Sequence, residues 1–350
     1  MKTVVCTGTA FERGLSHGHQ LRELIVAGVA KWRVALLGPS ADEAALQVYA
    51  EGFLGGTGLC GSARRLTPGL VEEVAGIAAG SGQSFEVIMA YNLMDELWWF
   101  ALEPELAPPG CSVIGRAGVG RRRSFVAQNM DLPLHMAGQD VVLQLSGPDM
   151  PDTLLLSAAG MIGLTGMTRH LAVCVNTLLM LPYEAGGLGV AFVLRALLAC
   201  RSVAEAAVLI QELPHASGQH YVLVDQRNLV GFEASGGGVV AVGGADRYLH
   251  TNHPLTEQAC HPLTEALLDR SGRIANSRQR MKYLEGVPGT LHARAARTIL
   301  DDSATPLCLR GDAGEGMRTF GSVLFRPGEG ARAEVRGGIA GSARWSVFPM

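Results

Sequence analysis

The residues best suited to chemistry in this chain are a glycine and a cysteine side by side, Gly110 and Cys111, in the stretch PPGCSVIG. Gly110 has no side chain to shield its carbonyl and tolerates a strained backbone. Attack of the Cys111 sulfur on that carbonyl would be an N-to-S acyl shift, and hydrolysis would then cut the chain between the two residues. The freed α-amine has an ordinary pKa of about 7.7–8.0, close enough to neutrality to act as base for the thiol on the same residue. The plainer reading is a buried strand cysteine. A hairpin through CSVIGRAGVGRRRSFVAQNMD bears on the choice. With its centre at Arg121, antiparallel pairing predicts Cys111 directly across from Asp131, a carboxylate facing the nucleophile.

These residues lie where the character of the chain changes. From 20 to 106, QLRELIVAGVAKWRVAL, ADEAALQVYAEGF, PGLVEEVAGIAAGSG and FEVIMAYNLMDELWWF carry apolar residues at three- and four-residue spacing and predict helices. In the third, Thr67 is the expected N-cap, Pro68 the first helical residue and Gly80 the end. After ELAPPG come short β-rich runs: CSVIG, SFVAQNM, VVLQLS, DTLLLSA, LAVCVNTL, HYVLVD, LVGFEAS, VVAVGG and RYLHTN, with a closing hairpin at TFGSVLFRPGEGARAEVRGGI. Helical segments at LGVAFVLRALLACRSVAEAAVLIQEL and 276–301 interrupt them. Antiparallel strands with helices on their faces make an α+β sandwich, with the boundary at 104–110. EASGGGVVAVGG lacks phosphate-loop spacing and reads as a hairpin turn.

Composition narrows the function. Hydrophobic residues make up 48% of the 350 and charged ones 17%, enough apolar matter for a large core. The net charge is −3 and the one compact basic run is Arg121-Arg122-Arg123, too short to track a phosphate backbone, so nucleic acid is not an expected partner. No apolar run approaches the roughly 18 residues of a spanning helix and no signal-peptide pattern follows Met1; the expectation is no membrane and a cytoplasmic location. Cys6, Cys60, Cys111, Cys174, Cys200, Cys260 and Cys308 contain no CxxC pair, which argues against a disulfide framework and a cysteine-rich zinc site.

Four pieces, in order, resemble the acyl-coenzyme A:6-aminopenicillanic-acid acyltransferase family of N-terminal nucleophile hydrolases, relatives of penicillin V acylase and bile salt hydrolase. FERGLSHGHQLRELI resembles the family's early G-x-x-x-G-x-Q helix, PPGCS its glycine-cysteine processing site, FVAQNMDLP the strand ending in Asn-x-Asp, and YLHTNHPL the later His-x-Asn-His segment. The closing TFGSVLFRPGEGARAEVRGGIAGSARWSVF resembles its terminal strand pair. The resemblance spans nearly the whole chain. It implies a four-layer αββα sandwich with antiparallel sheets and self-cleavage into a mostly helical chain, 1–110, and a catalytic chain, 111–350. The two would share one integrated core as a heterodimer open to further oligomerisation.

By the same resemblance Cys111 is the nucleophile and its freed amine the base. Asp131 holds the thiol or amine, Asn252 is an oxyanion-hole donor and Asn176 a second donor candidate, with a turn-forming asparagine as the plain alternative. Met130 stands where the family often has an aromatic and so bears on the acyl pocket. NSRQRMKYLE resembles a Ser-x-x-Arg helix start, which places Ser277 and Arg280 at the site border; an N-cap and a surface cation are the alternative. The implied partners are a small-molecule thioester or amide donor and an amine acceptor or water, with no metal or organic cofactor. Two other readings use the same residues: a cysteine amidase or peptidase releasing an acyl or aminoacyl group from a peptide-like substrate, and an unprocessed, noncatalytic binding protein of the same fold.

Other residues compete for attention. His250, His253, Cys260 and His261 have zinc-ligand chemistry, but Pro254 and Pro262 make the segment irregular. His17 and His19 read as structural histidines. NLMDELWWF at 92–100 is either core or a ligand-pocket wall, and Asp95 and Glu96, adjacent on a helix, diverge by about 100°, which argues against a shared site.

Overall fold

The computed structural model describes residues 1–101, 110–244, 246–311 and 316–350. The expected boundary at 104–110, with Pro108 and Pro109, lies outside the described residues except for Gly110. The chain begins with a strand that the sequence reading missed, β1 (Lys2–Thr7), in KTVVCT. Seven helices follow: α1 (Ala10–Gln20), α2 (Arg22–Leu37), α3 (Glu43–Thr57), α4 (Leu59–Leu66), α5 (Pro68–Ser81), α6 (Phe85–Tyr91) and α7 (Met94–Ala101). Helix α1 starts on a capping box, Thr9 with Glu12. Gly80 does not end α5; Gly82 does, at φ +74°. Gly80 is small for a different reason. Gly14 and Gly18 of α1 lie on Gly76 and Gly80 of α5 so closely that a Cβ on Gly14 would run into the Glu73 carbonyl, and one on Gly76 into that of Phe11. The G-x-x-x-G pattern read as a helix start is therefore a packing surface between two backbones.

The remaining strands form two sheets. One has eight strands in the order β1, β4 (Asp140–Gly147), β5 (Met150–Ala158), β6 (Thr165–Thr168), β7 (Ala172–Thr177), β8 (Gln219–Val224), β9 (Leu229–Ser235), β10 (Gly238–Val242). Its pairings are antiparallel except β1 with β4. The glycine run 236–238 turns β9 into β10 as expected, Ser235 pairing with Gly238. The second sheet has six antiparallel strands in the order β11 (Tyr248–His250), β2 (Cys111–Arg116), β3 (Phe125–Pro133), β12 (Met317–Arg326), β13 (Arg332–Gly337), β14 (Ser346–Pro349).

Helices α8 (Val190–Leu198) and α9 (Val203–Glu212) pack on the eight-stranded sheet. Helix α10 (Pro262–Arg270) follows β11, with Pro262 opening a regular helix where an irregular segment was expected. Helices α11 (Arg273–Gly286) and α12 (Ala293–Leu300) pack on the six-stranded sheet. With β2 and β3 facing β7 across the middle, the layers run helix, sheet, sheet, helix, as the family resemblance implies. The main core joins residues from both sides of Cys111, for example Leu21, Ile77 and Tyr91 with Val113, Val142 and Phe232. A smaller cluster, with Ile114, Phe125 and Leu324 against Leu284 and Leu300, lies under α11 and α12. No helix among the described residues is long and apolar enough to cross a membrane.

The register of β2 with β3 corrects the sequence reading by one residue: Cys111 pairs with Met130, not Asp131. The cause is the turn. Val119 and Arg122 form the last bridge around a two-residue turn, Gly120-Arg121, with Gly120 at φ +57°, so the hairpin centre falls between residues and not on Arg121. Because strand side chains alternate, the shift decides the faces. Cys111, Val113, Val126 and Met130 belong to the inter-sheet core, while Ile114, Phe125 and Ala127 belong to the cluster under α11 and α12.

Candidate active site

Strand ends from both sheets converge on Cys111. Strand β11 pairs with β2 so that His250 lies opposite Val113; continued two residues, that register brings Asn252 to Cys111. The Cys111 backbone N–H donates to Asn252 Oδ1 at 2.5 Å, and Asn252 Nδ2 donates to the Thr177 carbonyl of β7, in the opposite sheet, at 3.0 Å. Asn176, also on β7, donates from Nδ2 to the carbonyls of Cys111 (3.2 Å), His250 (3.3 Å) and Thr251 (3.0 Å). It is fully buried and braces the ends of β2 and β11 by bonding their carbonyls in the interior.

On the other side stands Arg280, one turn after Ser277 on α11. The Arg280 guanidinium, 1% exposed, donates to the Cys111 carbonyl (2.6 Å), Ser112 Oγ (3.0 Å), Asn252 Oδ1 (3.0 Å) and Asn276 Oδ1 (2.9 Å). Ser277 Oγ accepts from the Asn252 backbone N–H at 2.8 Å. Ser277 and Arg280 thus lie beside Asn252 and Cys111, and neither is a surface group. Asp131 sits at Gly110: its backbone N–H donates to the Gly110 carbonyl at 2.9 Å, and its Oδ1 accepts from Thr319 of β12 at 2.7 Å. Gly110 is hemmed in, since a Cβ there would lie 2.7 Å from a terminal nitrogen of Arg280 and 3.3 Å from Asp131 Oδ2.

The Cys111 thiol is buried, and burial pushes its pKa upward, with the charges of Asp131 and Asp95 adding to the effect; the Asp131 N–H and Arg280 pull the other way. The thiol opens on an apolar cavity of about 60 Å³ between the sheets, lined by Met130, Met161, Val175, Leu194 and Asp95 among others. Met130 is therefore a cavity wall.

Sequence reasoning missed three contributors. Thr319 and Thr177 are indistinguishable from other strand threonines. Glu233 of β9 holds the loop that carries Asn252, accepting from His250 Nε2 (2.9 Å), Leu255 N–H (2.6 Å) and Thr256 N–H (3.1 Å). Burial works against its charge, yet the hydrogen bonds from His250, Thr256 and Leu255 keep it below the ordinary carboxylate range. The zinc-like cluster has other employment. His250 bonds Glu233 and stacks on His220 at 3.6 Å, and His253 Nδ1 lies 2.8 Å from Ser277 Oγ. Among the described residues no group of three or more His, Cys, Asp or Glu is placed to hold a metal ion. His17 is a structural histidine, its Nε2 accepting from Gly160 N–H at 3.0 Å, whereas His19 is exposed.

Asp95 and Glu96 diverge as expected but remain linked. Asp95 Oδ2 accepts from Thr177 and Gln219, Gln219 also donates to Ser217 Oγ, and Ser217 donates to Glu96 Oε1. Burial, then the charge of Asp95, raises Glu96 from 4.5 to about 7, against hydrogen bonds from Ser217 and Val190. The folded state then keeps a proton that the unfolded state releases, so stability declines as pH rises from about 4.5 to about 7, by up to about 3 kcal/mol. Glu96→Gln should flatten that decline. Urea unfolding of both proteins at pH 5 and pH 8 measures it; equal losses between the two pH values would refute it.

Comparison with known proteins adds two findings. The model of the family described as "AAT: Acyl-coenzyme A:6-aminopenicillanic acid acyl-transferase" matches residues 120–327, a span that begins after Cys111 and contains Asp131, Asn176, Asn252, Ser277 and Arg280. Among solved structures, the chain is similar to "Caenorhabditis elegans N-acylethanolamine-hydrolyzing acid amidase (NAAA) ortholog", with 14% identity, a TM-score of 0.44, and coverage of 63% of this chain and 93% of that one.

Proposed function

Because the chain belongs to the acyl-coenzyme A:6-aminopenicillanic acid acyl-transferase family, a family of acyl-transferring and amide-hydrolysing enzymes, we propose that it cuts itself between Gly110 and Cys111 and then carries acyl groups as a Cys111 thioester. The observation that supports this most is the arrangement at one residue. Cys111 begins a strand, its backbone is held by Asn252, Asn176 and Arg280, its thiol opens on an apolar cavity, and the residue before it has no room for a side chain.

In the processing step the Cys111 sulfur attacks the Gly110 carbonyl carbon. The C–S bond forms, the C–N bond breaks, and the thiol proton passes to the departing nitrogen. Water then hydrolyses the thioester, leaving a Gly110 carboxylate, a free thiol and a free α-amine. The chains 1–110 and 111–350 stay together because β1 of the first pairs with β4 of the second and one core spans both.

In turnover the α-amine takes the thiol proton, the thiolate attacks an acyl donor, and the leaving thiol or amine departs with that proton. Asn252 uses one N–H on Thr177; the other is the proposed donor to the oxyanion, a role worth roughly 100–1000-fold in rate where it has been removed. Asn176 spends its amide on three carbonyls and serves as brace. Asp131 and Arg280 fix the Gly110–Cys111 backbone. The acyl group leaves to an amine, making an amide, or to water.

Intact-mass measurement of the purified protein should find chains 1–110 and 111–350. Incubation with short-chain thioesters should add one acyl mass to Cys111. An uncut protein that turns over substrate would sink the processing step, and a processed protein that no thioester or amide acylates would sink the reading as a whole.

A further inference from the structure

The cavity beside Cys111 is mostly apolar, its polar lining being Asn92, Asp95 and Thr177; Asn92 bonds Ile88, Gly160 and Ile162, and Thr177 donates to Asp95. Met130, Met161, Val175 and Leu194 give it hydrocarbon walls, and Asp95 is the one ionisable side chain besides the cysteine among the residues lining it. Asp95 Oδ2 is taken, accepting from Thr177 Oγ1 at 2.8 Å and Gln219 Nε2 at 3.1 Å. Among the described residues no hydrogen bond reaches Oδ1, and Asp95 joins no ion pair. A carboxylate has room for about four hydrogen bonds, and leaving one in an apolar setting with half of them made is costly. The cost appears as a pKa raised by burial, which the two hydrogen bonds only partly oppose. Asp95 is half-buried, so water takes the place at Oδ1 while the cavity is empty, and a hydrogen-bond donor on a substrate seated in the cavity would displace it.

Size says which part of a substrate that is. A water needs roughly 10–15 Å³ on this measure, so about 60 Å³ holds roughly four to six heavy atoms. That suits a short acyl chain attached to Cys111 and excludes a bulky leaving group.

We propose that Asp95 makes this cavity a subsite for a positively charged amino group, so that the acyl donors of this protein are thioesters or amides of short amino-substituted acids. The inference rests on the Cys111 thioester reading. The ammonium occupies the cavity, donates to Asp95 Oδ1, and is paired where the alternative is a lone buried charge; the methylene groups between it and the carbonyl lie on the methionine and leucine walls.

The test uses the processed enzyme and pairs of N-acetylcysteamine thioesters equal in length, glycyl against propanoyl and 3-aminopropanoyl against butanoyl. It compares kcat/KM and the acyl mass on Cys111. A desolvated charge-assisted hydrogen bond predicts that the amino member of at least one pair is preferred by about 10–100-fold. In Asp95→Asn, which keeps an oxygen for Thr177 and Gln219 but no charge, that ratio should collapse towards one. Equal use of both members by the unaltered protein overturns the proposal without any variant, as does a preference for the methyl member. An Asp95→Asn protein that slows on both members while keeping the ratio also overturns it, because Asp95 would then act on the nucleophile. Acylation of Cys111 by longer or aromatic donors but by neither pair removes the proposal and leaves the thioester mechanism standing. Failure of every donor removes both.

Discussion

Cys111→Ala is expected to run as one uncut chain of 350 residues with no acyl adduct, and with turnover lower by on the order of 10⁴-fold or more, as for loss of a catalytic nucleophile. Both losses follow from one atom. Sulfur is the proposed attacking group in the cut and in the transfer, and without the cut no α-amine is freed to act as base. In the uncut chain the Cys111 nitrogen is an amide that donates to Asn252 Oδ1, and its lone pair is delocalised into the Gly110 carbonyl, so it is no base for the thiol. Burial meanwhile holds the thiol in its neutral form. The uncut protein should therefore react slowly with iodoacetamide at Cys111 and the processed protein quickly. Replacing the sulfur by hydrogen removes about one methylene's worth of buried contact, roughly 1 kcal/mol, so the variant should melt within a few degrees of its parent. A Cys111→Ala protein that is still cut at 110–111 would show that the sulfur does not drive the reaction.

Arg280→Met is expected to lower the rate of processing by about 100-fold or more and to cost roughly 3–5 kcal/mol of stability, the usual penalty for removing one partner of a buried charge set. Four acceptors depend on this guanidinium, two of them on the strand that carries the nucleophile. Its charge also faces Asp131 and Cys111. Without it the Cys111 carbonyl keeps Asn176 but loses its shorter bond, and Asn252 Oδ1 keeps only the Cys111 N–H. The reacting backbone would then sample positions away from the thiol's line of attack. Arg280→Lys separates position from charge. It restores the cation but not the planar fork that reaches Cys111, Ser112 and Asn252 together, so it should recover most of the stability and about a tenth of the lost rate. The readouts are the time course of the intact mass in a pulse-labelled expression and the urea midpoint. A Lys variant that processes at the parental rate would assign Arg280 a purely electrostatic role.

Gly110, Cys111 and the strand FVAQNMDLP were legible because chemistry and pattern coincide there: a glycine-cysteine step at the change from helical to β-rich sequence, followed by a turn and a strand. Ser277 and Arg280 were legible only through the spacing of a motif, since nothing in NSRQRMKYLE says that its arginine is buried. The hairpin pattern sets Cys111 against Asp131, one residue away from its true partner Met130, because the register depends on which two residues of GVGRRR take the turn. Several dipeptides there could. Gly80 looks like a stop in the sequence because a glycine near a helix end has the same signature whether it ends the helix or admits a neighbour's backbone.

Asp95 shows the limit most clearly. In NLMDELWWF it is a carboxylate next to another carboxylate, in a segment that reads first as core. By itself the sequence determined most of the elements, their order, the sandwich class and the residue proposed here to attack its own chain, because these depend on local periodicity and on groups covalently adjacent. Only the tertiary structure decided what surrounds that residue. Asn252 arrives by strand register, Asn176 from the opposite sheet, Arg280 from the covering helix, and Asp95 from a helix on the far side of the expected cut. Contacts between groups so distant along the chain are set by how layers stack and which faces the registers expose, and no local stretch of sequence contains that information.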